Sequence, residues 1–195
     1  MIDTDVIKRC QQGDEEAFYQ LYKISAKKAV WTAYLIAGRM DIAEDIVQEA
    51  FFECFLNIKK LQKPELFNVW FNRIVVRTCW RIINREKKNT ADRLELKDEL
   101  EDSSTSEMFE TMHMNRVIRE QVKKLNSKMR TVVILYYFNS MTVKEISEVM
   151  NCLQGTVKSR LHYAKKELAK VLGREFYEQF SCEPGFAGKE CATNE

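Results

Sequence analysis

Proline and glycine are scarce in this 195-residue sequence, at two and six residues. With so few breakers and turn formers there is little material for hairpins, and strand-like alternation is nearly absent. Apolar residues recur at helical spacing over long stretches instead, which predicts an all-α protein. No apolar run reaches the ~20 residues that a membrane-spanning helix needs. The opening stretch, MIDTDVIKRCQQGDEEAF, also lacks the apolar segment of a signal peptide. These absences predict a cytoplasmic protein, with a peripheral membrane contact left open. The six cysteines, at positions 10, 54, 79, 152, 182 and 191, form no C-x-x-C pair. The two histidines, His113 and His162, build no ligand cluster with them. Reduced thiols, no zinc and no cofactor are the expectation. Two isolated histidines and no carboxylate constellation also argue against an enzyme such as a nuclease.

What the sequence does have is charge, and it is segregated. A net charge of +2 hides nine Lys or Arg against two acids between Lys59 and Lys88. Between Asp92 and Glu110 the balance reverses, with eight acids against Arg93 and Lys97. From Lys144 the balance turns basic again, with six Lys or Arg against three acids as far as Lys170. This pattern implies separate surfaces with different partners.

Three helices are predicted in the first half, over roughly 14–36, 41–61 and 65–88. The missing donor and ring of Pro64 interrupt the second and third. Residues 5–89 then form one helical domain. The acidic, Ser/Thr-containing stretch 90–111 is too poor in spaced apolar residues to hold a core and reads as a linker. A solvated helix with charged faces is the alternative. Residues 112–173 form a second, compact helical domain, with Ser127 and Thr142 as expected N-caps and Thr142 with Glu145 as a capping box. The tail, 174–195, contains Pro184, Gly185 and Gly188 and has no assigned role.

In QGTVKSRLHYAKKELAKVL, residues 154–172, helical spacing aligns Val157, Leu161, Ala164 and Leu168 as a core stripe. Gly155, Lys158, Ser159, His162, Tyr163 and Lys166 lie opposite, with Arg160 and Lys165 at the edges. A short helix, Thr142 to Met150, and a tight turn precede this one, which outlines a helix-turn-helix. Lys158, Ser159, His162 and Tyr163 have the chemistry to reach base edges, while Arg160, Lys165 and the helix N-terminus hold phosphates. A solvated helix of a small bundle remains the plainer alternative.

In WFNRIVVRTCWRIINREKK, Arg73, Arg77, Arg81 and Arg85 recur at every fourth position. Such a row repels itself unless anions lie along it. With Trp70 and Trp80 nearby it fits a groove that tracks a single strand and stacks bases. Alternatively, both indoles are core and the arginines pair with the acidic linker. In DIAEDIVQEAFFECFLNIKKL, Ile42, Ala43, Ile46, Val47, Ala50 and Cys54 share one face. Asp45, Gln48, Glu49, Phe52 and Leu56 share the other, as in a protein-docking patch or a merely wide apolar face.

Together these segments resemble the extracytoplasmic-function group of bacterial RNA polymerase sigma factors. DIAEDIVQEAFFECF resembles the region-two helix that binds the polymerase clamp, and WFNRIVVRTCWRIINREKK stands in the place of the promoter-melting helix. LNSKMRTVVILYYFNSMTVKEISEVMNCLQGTVKSRLHYAKKEL is similar to region four, with E-I-x-x-x-M and G-T-V-K-S-R-L signatures. The resemblance spans roughly residues 5–172.

It implies two helical domains, region two and region four, joined by an acidic linker that threads the polymerase cleft. Asp45, Gln48, Glu49 and Phe52 would dock on the beta-prime clamp of the core, while region four meets the beta flap. Lys60 to Phe67, including Lys63, would form the loop that captures a base of the minus-ten element. Trp70, Arg73, Arg77, Trp80, Arg81 and Arg85 would follow the opened strand. Lys158, Ser159, His162 and Tyr163 would read the minus-thirty-five element, with Thr156, Arg160 and Lys165 on phosphates. A cognate anti-sigma factor, often membrane-bound in this group, is implied as a partner beside core polymerase and promoter DNA, and a stress or envelope response as the setting.

The sequence departs from the family at Arg77, where an asparagine is usual, and at Arg81, where an aspartate is usual. Asn84 takes an arginine position, with Arg85 next to it. These departures bear on which minus-ten base is preferred, and His162 and Tyr163 bear likewise on the minus-thirty-five letters. The rival reading is a stand-alone helix-turn-helix regulator, which leaves the arginine row and Phe52 unexplained.

Overall fold

The chain folds entirely into helices among the residues that the structure, a computed structural model, describes: 2–91 and 116–172. The expected acidic linker lies outside them beyond Ala91, and so does the 174–195 tail. The first half carries α1 (Thr4–Gln12), α2 (Glu15–Ala37), α3 (Met40–Asn57) and α4 (Phe67–Ala91), with two short 3-10 turns, Ile58–Lys60 and Pro64–Leu66, between α3 and α4. The second half carries α5 (Arg116–Lys124), α6 (Ser127–Val133) running into a π-helical turn (Ile134–Phe138), α7 (Val143–Val149) and α8 (Gln154–Leu172).

Local chemistry sets the boundaries. Asp3 accepts from the Asp5 amide at the head of α1, and Gly13 ends that helix at φ 90, where a side chain would be strained. Asp14 then does two jobs. Its Oδ1 accepts from the Ala17 amide at 3.0 Å as the N-cap of α2, and its Oδ2 accepts from Arg9 Nε at 2.8 Å. Gly38, at φ 86, closes α2.

Pro64 marks the break as expected, with α4 beginning three residues later. The helix α4 continues to Ala91, two residues into the predicted linker. Thr142 and Glu145 form the predicted capping box, with Thr142 N donating to Glu145 Oε2 at 2.8 Å and Glu145 N donating to Thr142 Oγ1 at 3.2 Å. Ser127 is not the cap of α6. Asn126 is, one residue earlier, because its Oδ1 accepts from the Met129 amide at 2.9 Å. Helical spacing does not single out α1, which is short and mostly polar.

The first core sits between α2, α3 and α4. Leu21, Ile46, Val75 and Val76 are fully buried there, and Phe67 stacks on Phe71 with ring centroids 5.4 Å apart. Each such side chain contributes about 1.5–3 kcal/mol through its removal from water. In the second half Val132, Ile134, Leu135, Ile146 and Leu161 are buried. The two halves also touch. Arg130, Asn139, Trp80 and Arg73 each bond across the seam. No helix among the described residues is long and apolar enough to cross a membrane.

Candidate nucleic-acid and protein interfaces

The apolar stripe of α8 falls where the spacing predicts, with Val157, Leu161, Ala164 and Leu168 all buried. Lys158, Ser159, His162 and Tyr163 are exposed on the opposite face. Ser159 donates its hydroxyl to the Gly155 carbonyl at 2.9 Å, leaving its oxygen lone pairs for a ligand. Thr156 and Arg160 are half-buried at the edge of this face, and one Arg160 amine rests 3.7 Å from the Cys152 sulfur in the preceding turn. Lys165 departs from expectation. It is 9% exposed, with its ammonium 5.9 Å from the Tyr137 ring centroid. The π-helical turn brings Tyr137 over the edge of the stripe, so Lys165 packs inward and is not presented to a phosphate. Spacing alone missed Leu153, which is 79% exposed at the head of the helix.

The arginine row is exposed along α4 at Arg73, Arg77, Arg81 and Arg85, and anions do lie along it. They come from α3: Arg77 pairs with Glu53, and Arg81 pairs with Glu49 at 2.6 Å. The arginines of both pairs are exposed and their carboxylate partners half-buried, so each pair gains little net energy. Arg73 instead donates to the Glu148 carbonyl of α7 at 2.7 Å. Trp80 is half-buried and its indole N–H donates to Thr131 Oγ1 at 3.3 Å. Trp70 is half-buried against Phe67, with centroids 6.1 Å apart.

In the loop before α4, Lys60 and Lys63 are exposed, and Lys60 Nζ donates to Asn57 Oδ1 at 2.7 Å. Phe67 is the second departure. It is 2% exposed, held between Phe71 and Trp70, and supports the loop from beneath without a surface for a base. The loop itself is fixed from α1, where Gln11 Nε2 donates to the Ile58 and Leu61 carbonyls at 3.1 and 2.6 Å.

On α3, Asp45, Gln48 and Phe52 are exposed, with Phe52 at 65%. Glu49 is half-buried and turned toward Arg81, so it lies on the α4 side of this face. The apolar patch is larger than the sequence reading named. Leu56, which the spacing already places beside Phe52, is more than half exposed; Phe55 of α3 is too, and Tyr19 and Tyr22 of α2 are about half exposed. Phe18, from the same helix as the tyrosines, packs edge-on against Phe55 at 5.1 Å. The signal was available: Tyr19 and Tyr22 are one turn apart on the face of α2 opposite its buried Ala17 and Leu21.

Buried thiols complete the chemistry. Burial pushes Cys54 up to about 12 and raises Cys79 further, so neither is a nucleophile or ligand in the folded state. No group of His, Cys, Asp and Glu among the described residues could hold a metal ion.

Comparison with known proteins places the second half first. The family model described as "Sigma-70, region 4" matches residues 115–168, which contain α5 to α7 and most of α8. Over 180 residues the chain is 29% identical to the ECF RNA polymerase sigma factor SigW of Bacillus subtilis (strain 168), covering 85% of this chain and 94% of that protein. It is 25% identical over 177 residues to the ECF RNA polymerase sigma-E factor of Haemophilus influenzae, with 85% and 93% covered. Among solved structures, the sigma factor RpoE from Bartonella quintana, co-crystallised with the anti-sigma factor NepR, aligns with a TM-score of 0.67 at 16% identity. That alignment covers 80% of this chain and 96% of RpoE and shows a shared fold.

Proposed function

This chain belongs to the sigma-70 family, in its extracytoplasmic-function group, and from that premise we propose that it directs core RNA polymerase to specific promoters and helps open them. It carries out no catalysis of its own; the polymerase makes the transcript. The reading assigns residues 5–89 to core binding and the minus-ten element, and 112–173 to the minus-thirty-five element.

In this reading the α3 face, with Asp45, Gln48 and Phe52, docks on the beta-prime clamp, joined by Phe55, Leu56, Tyr19 and Tyr22 as its apolar surround. An aromatic patch with an acidic border is suited to a protein partner that is itself partly basic. Lys60, Lys63, Trp70 and the arginines of α4 follow the opened strand, where flipping a base costs a few kcal/mol that stacking and cationic contacts offset. Lys158, Ser159, His162 and Tyr163 read the duplex, with Thr156 and Arg160 at the backbone. An anti-sigma factor is the expected protein antagonist.

One observation carries this reading: the exposed polar face of α8 lies within the matched region-four segment, while the curated relatives align along 85% of the chain. A stand-alone helix-turn-helix regulator fits less well, since the likeness is not confined to the second half. Titration of labelled protein with purified core polymerase tests the first step. A saturable complex of equal stoichiometry is expected, and no binding at micromolar core would overturn the assignment.

A further inference from the structure

Leu153 breaks two local rules at once. Its carbonyl accepts from the Thr156 and Val157 amides at 2.9 and 3.2 Å, so it is the N-cap of α8. Leucine is among the poorest residues for that position, because its side chain can accept nothing from the first turn. At the heads of α1, α2, α6 and α7 the side chains of Asp3, Asp14, Asn126 and Thr142 do accept. The leucine side chain is also 79% exposed, more than any other large apolar residue among the described ones. Neither capping nor burial explains it. A residue that breaks local rules with no return inside the fold marks a functional position.

The place of this side chain is fixed by the turn before it. Asn151 takes the left-handed conformation, at φ 48, which asparagine tolerates, and the Cys152 amide donates to the Ser147 carbonyl at 3.0 Å. Leu153 is thereby held at the head of the helix whose polar face carries Lys158 and Ser159. Gly155, two residues on, is exposed, and a side chain added there would meet nothing within 4 Å. Its φ is not positive either. The interior therefore places no demand for a glycine, and the bare backbone leaves room for a ligand to approach beside Leu153.

The surroundings define that ligand. Gln154, Lys158 and Ser159, the exposed side chains of the adjoining turn, are polar or cationic. One apolar group in such a setting is too small for the core of a protein interface, which needs a contiguous patch. It matches the major groove of a duplex, where the C5 methyl of thymine is the apolar spot among donors and acceptors.

We propose that Leu153 is a specificity-determining residue of the minus-thirty-five contact, packing on the C5 methyl of a thymine. The inference rests on the initiation-factor reading and adds an apolar reader to the polar ones, Lys158, Ser159, His162 and Tyr163.

The full chain, as wild type, Leu153→Ala and Leu153→Ser, is assembled with core polymerase for the test. Each holoenzyme is titrated with the promoter duplex used for transcription, in a series that replaces one minus-thirty-five thymine at a time by deoxyuridine. Deoxyuridine pairs as thymine does and lacks only the methyl. With wild type, one replacement is expected to weaken binding roughly fourfold, the worth of one methyl group removed from water. With either variant the same replacement is expected to have no effect. Leu153→Ser also restores a good N-cap, so the unfolding midpoint of the free chain should rise while discrimination is lost. A lowered midpoint in that variant would make the leucine structural and overturn the proposal. An equal response of wild type and variants to every replacement would overturn it too. So would weaker core binding by Leu153→Ala with thymine discrimination retained, which would assign the side chain to a protein surface. No binding of any duplex by any holoenzyme would instead remove the initiation-factor reading, and this contact with it.

Discussion

Arg130 Nη1 donates to the carbonyl of Ile36 at 3.0 Å, joining α6 to the last turn of α2 across 94 positions. That turn has no basic residue of its own, so the second half supplies the cation that complements its carbonyls. The other amine of Arg130 bonds the carbonyls of Lys123 and Leu125, closing the turn between α5 and α6. Desolvation lowers the pKa of the guanidinium, but an arginine stays charged at any working pH. Arg130→Met therefore removes several charge-assisted bonds at once. A loss of about 2–3 kcal/mol in urea unfolding is expected, with partial recovery in Arg130→Lys. A loss below about 0.5 kcal/mol, the usual range for a surface change, would show that these bonds are not structural.

Asp14 predicts a specific acid sensitivity. The Ala17 amide, and after it Arg9, hold its carboxyl below the ordinary carboxylate range. Since the folded value lies below the unfolded one, its contribution is complete above the unfolded pKa and fades as pH falls through the folded one. Asn is an equally good N-cap without the titration. Asp14→Asn should flatten the fall of the melting temperature in acid while changing it little at neutral pH. Identical acid profiles would contradict the role given to this carboxylate.

On α3, Phe52→Ala and Asp45→Ala are expected to weaken core polymerase binding by tenfold or more in combination, as replacements at the centre of an interface do. Because both side chains are exposed, circular dichroism and the unfolding midpoint should be unchanged. Full binding by the double variant would remove this face from the interface. Glu49→Gln separates two roles, since this carboxylate pairs with Arg81. Its effect should fall mainly on strand binding.

Much of this was legible from residue spacing. The core faces of α3 and α8, the Pro64 break and the Thr142 capping box all follow local rules, and local rules are what a sequence displays. Phe67 and Lys165 were misplaced for a shared reason. Each sits at the edge of a stripe, and whether an edge is wet depends on what a distant element covers it with: Phe71 and Trp70 for one, Tyr137 for the other. The Asn139 seam left no trace in the periodicity at all. Its partners are polar residues 67 to 111 positions away, and nothing about an isolated Asn, Thr or Lys announces a mate at that distance.

For α8, Lys158→Ala and Ser159→Ala are expected to change which minus-thirty-five bases are preferred, since losing a good base contact costs about 1–3 kcal/mol of discrimination. Arg160→Ala, at a phosphate, should weaken binding to all sequences alike and reduce its salt dependence. Selection from a randomised duplex separates the two outcomes. An unchanged preference in the Lys158 and Ser159 variants would count against base reading by this face.

Run-off transcription tests the central claim most directly. Purified protein is combined with core polymerase and DNA from its own promoter region, and the transcript is sized. The account predicts a discrete transcript that depends on this protein and disappears with the Phe52 and Asp45 double variant. No transcript with the protein present, on DNA that a different sigma factor can transcribe with the same core, would contradict it.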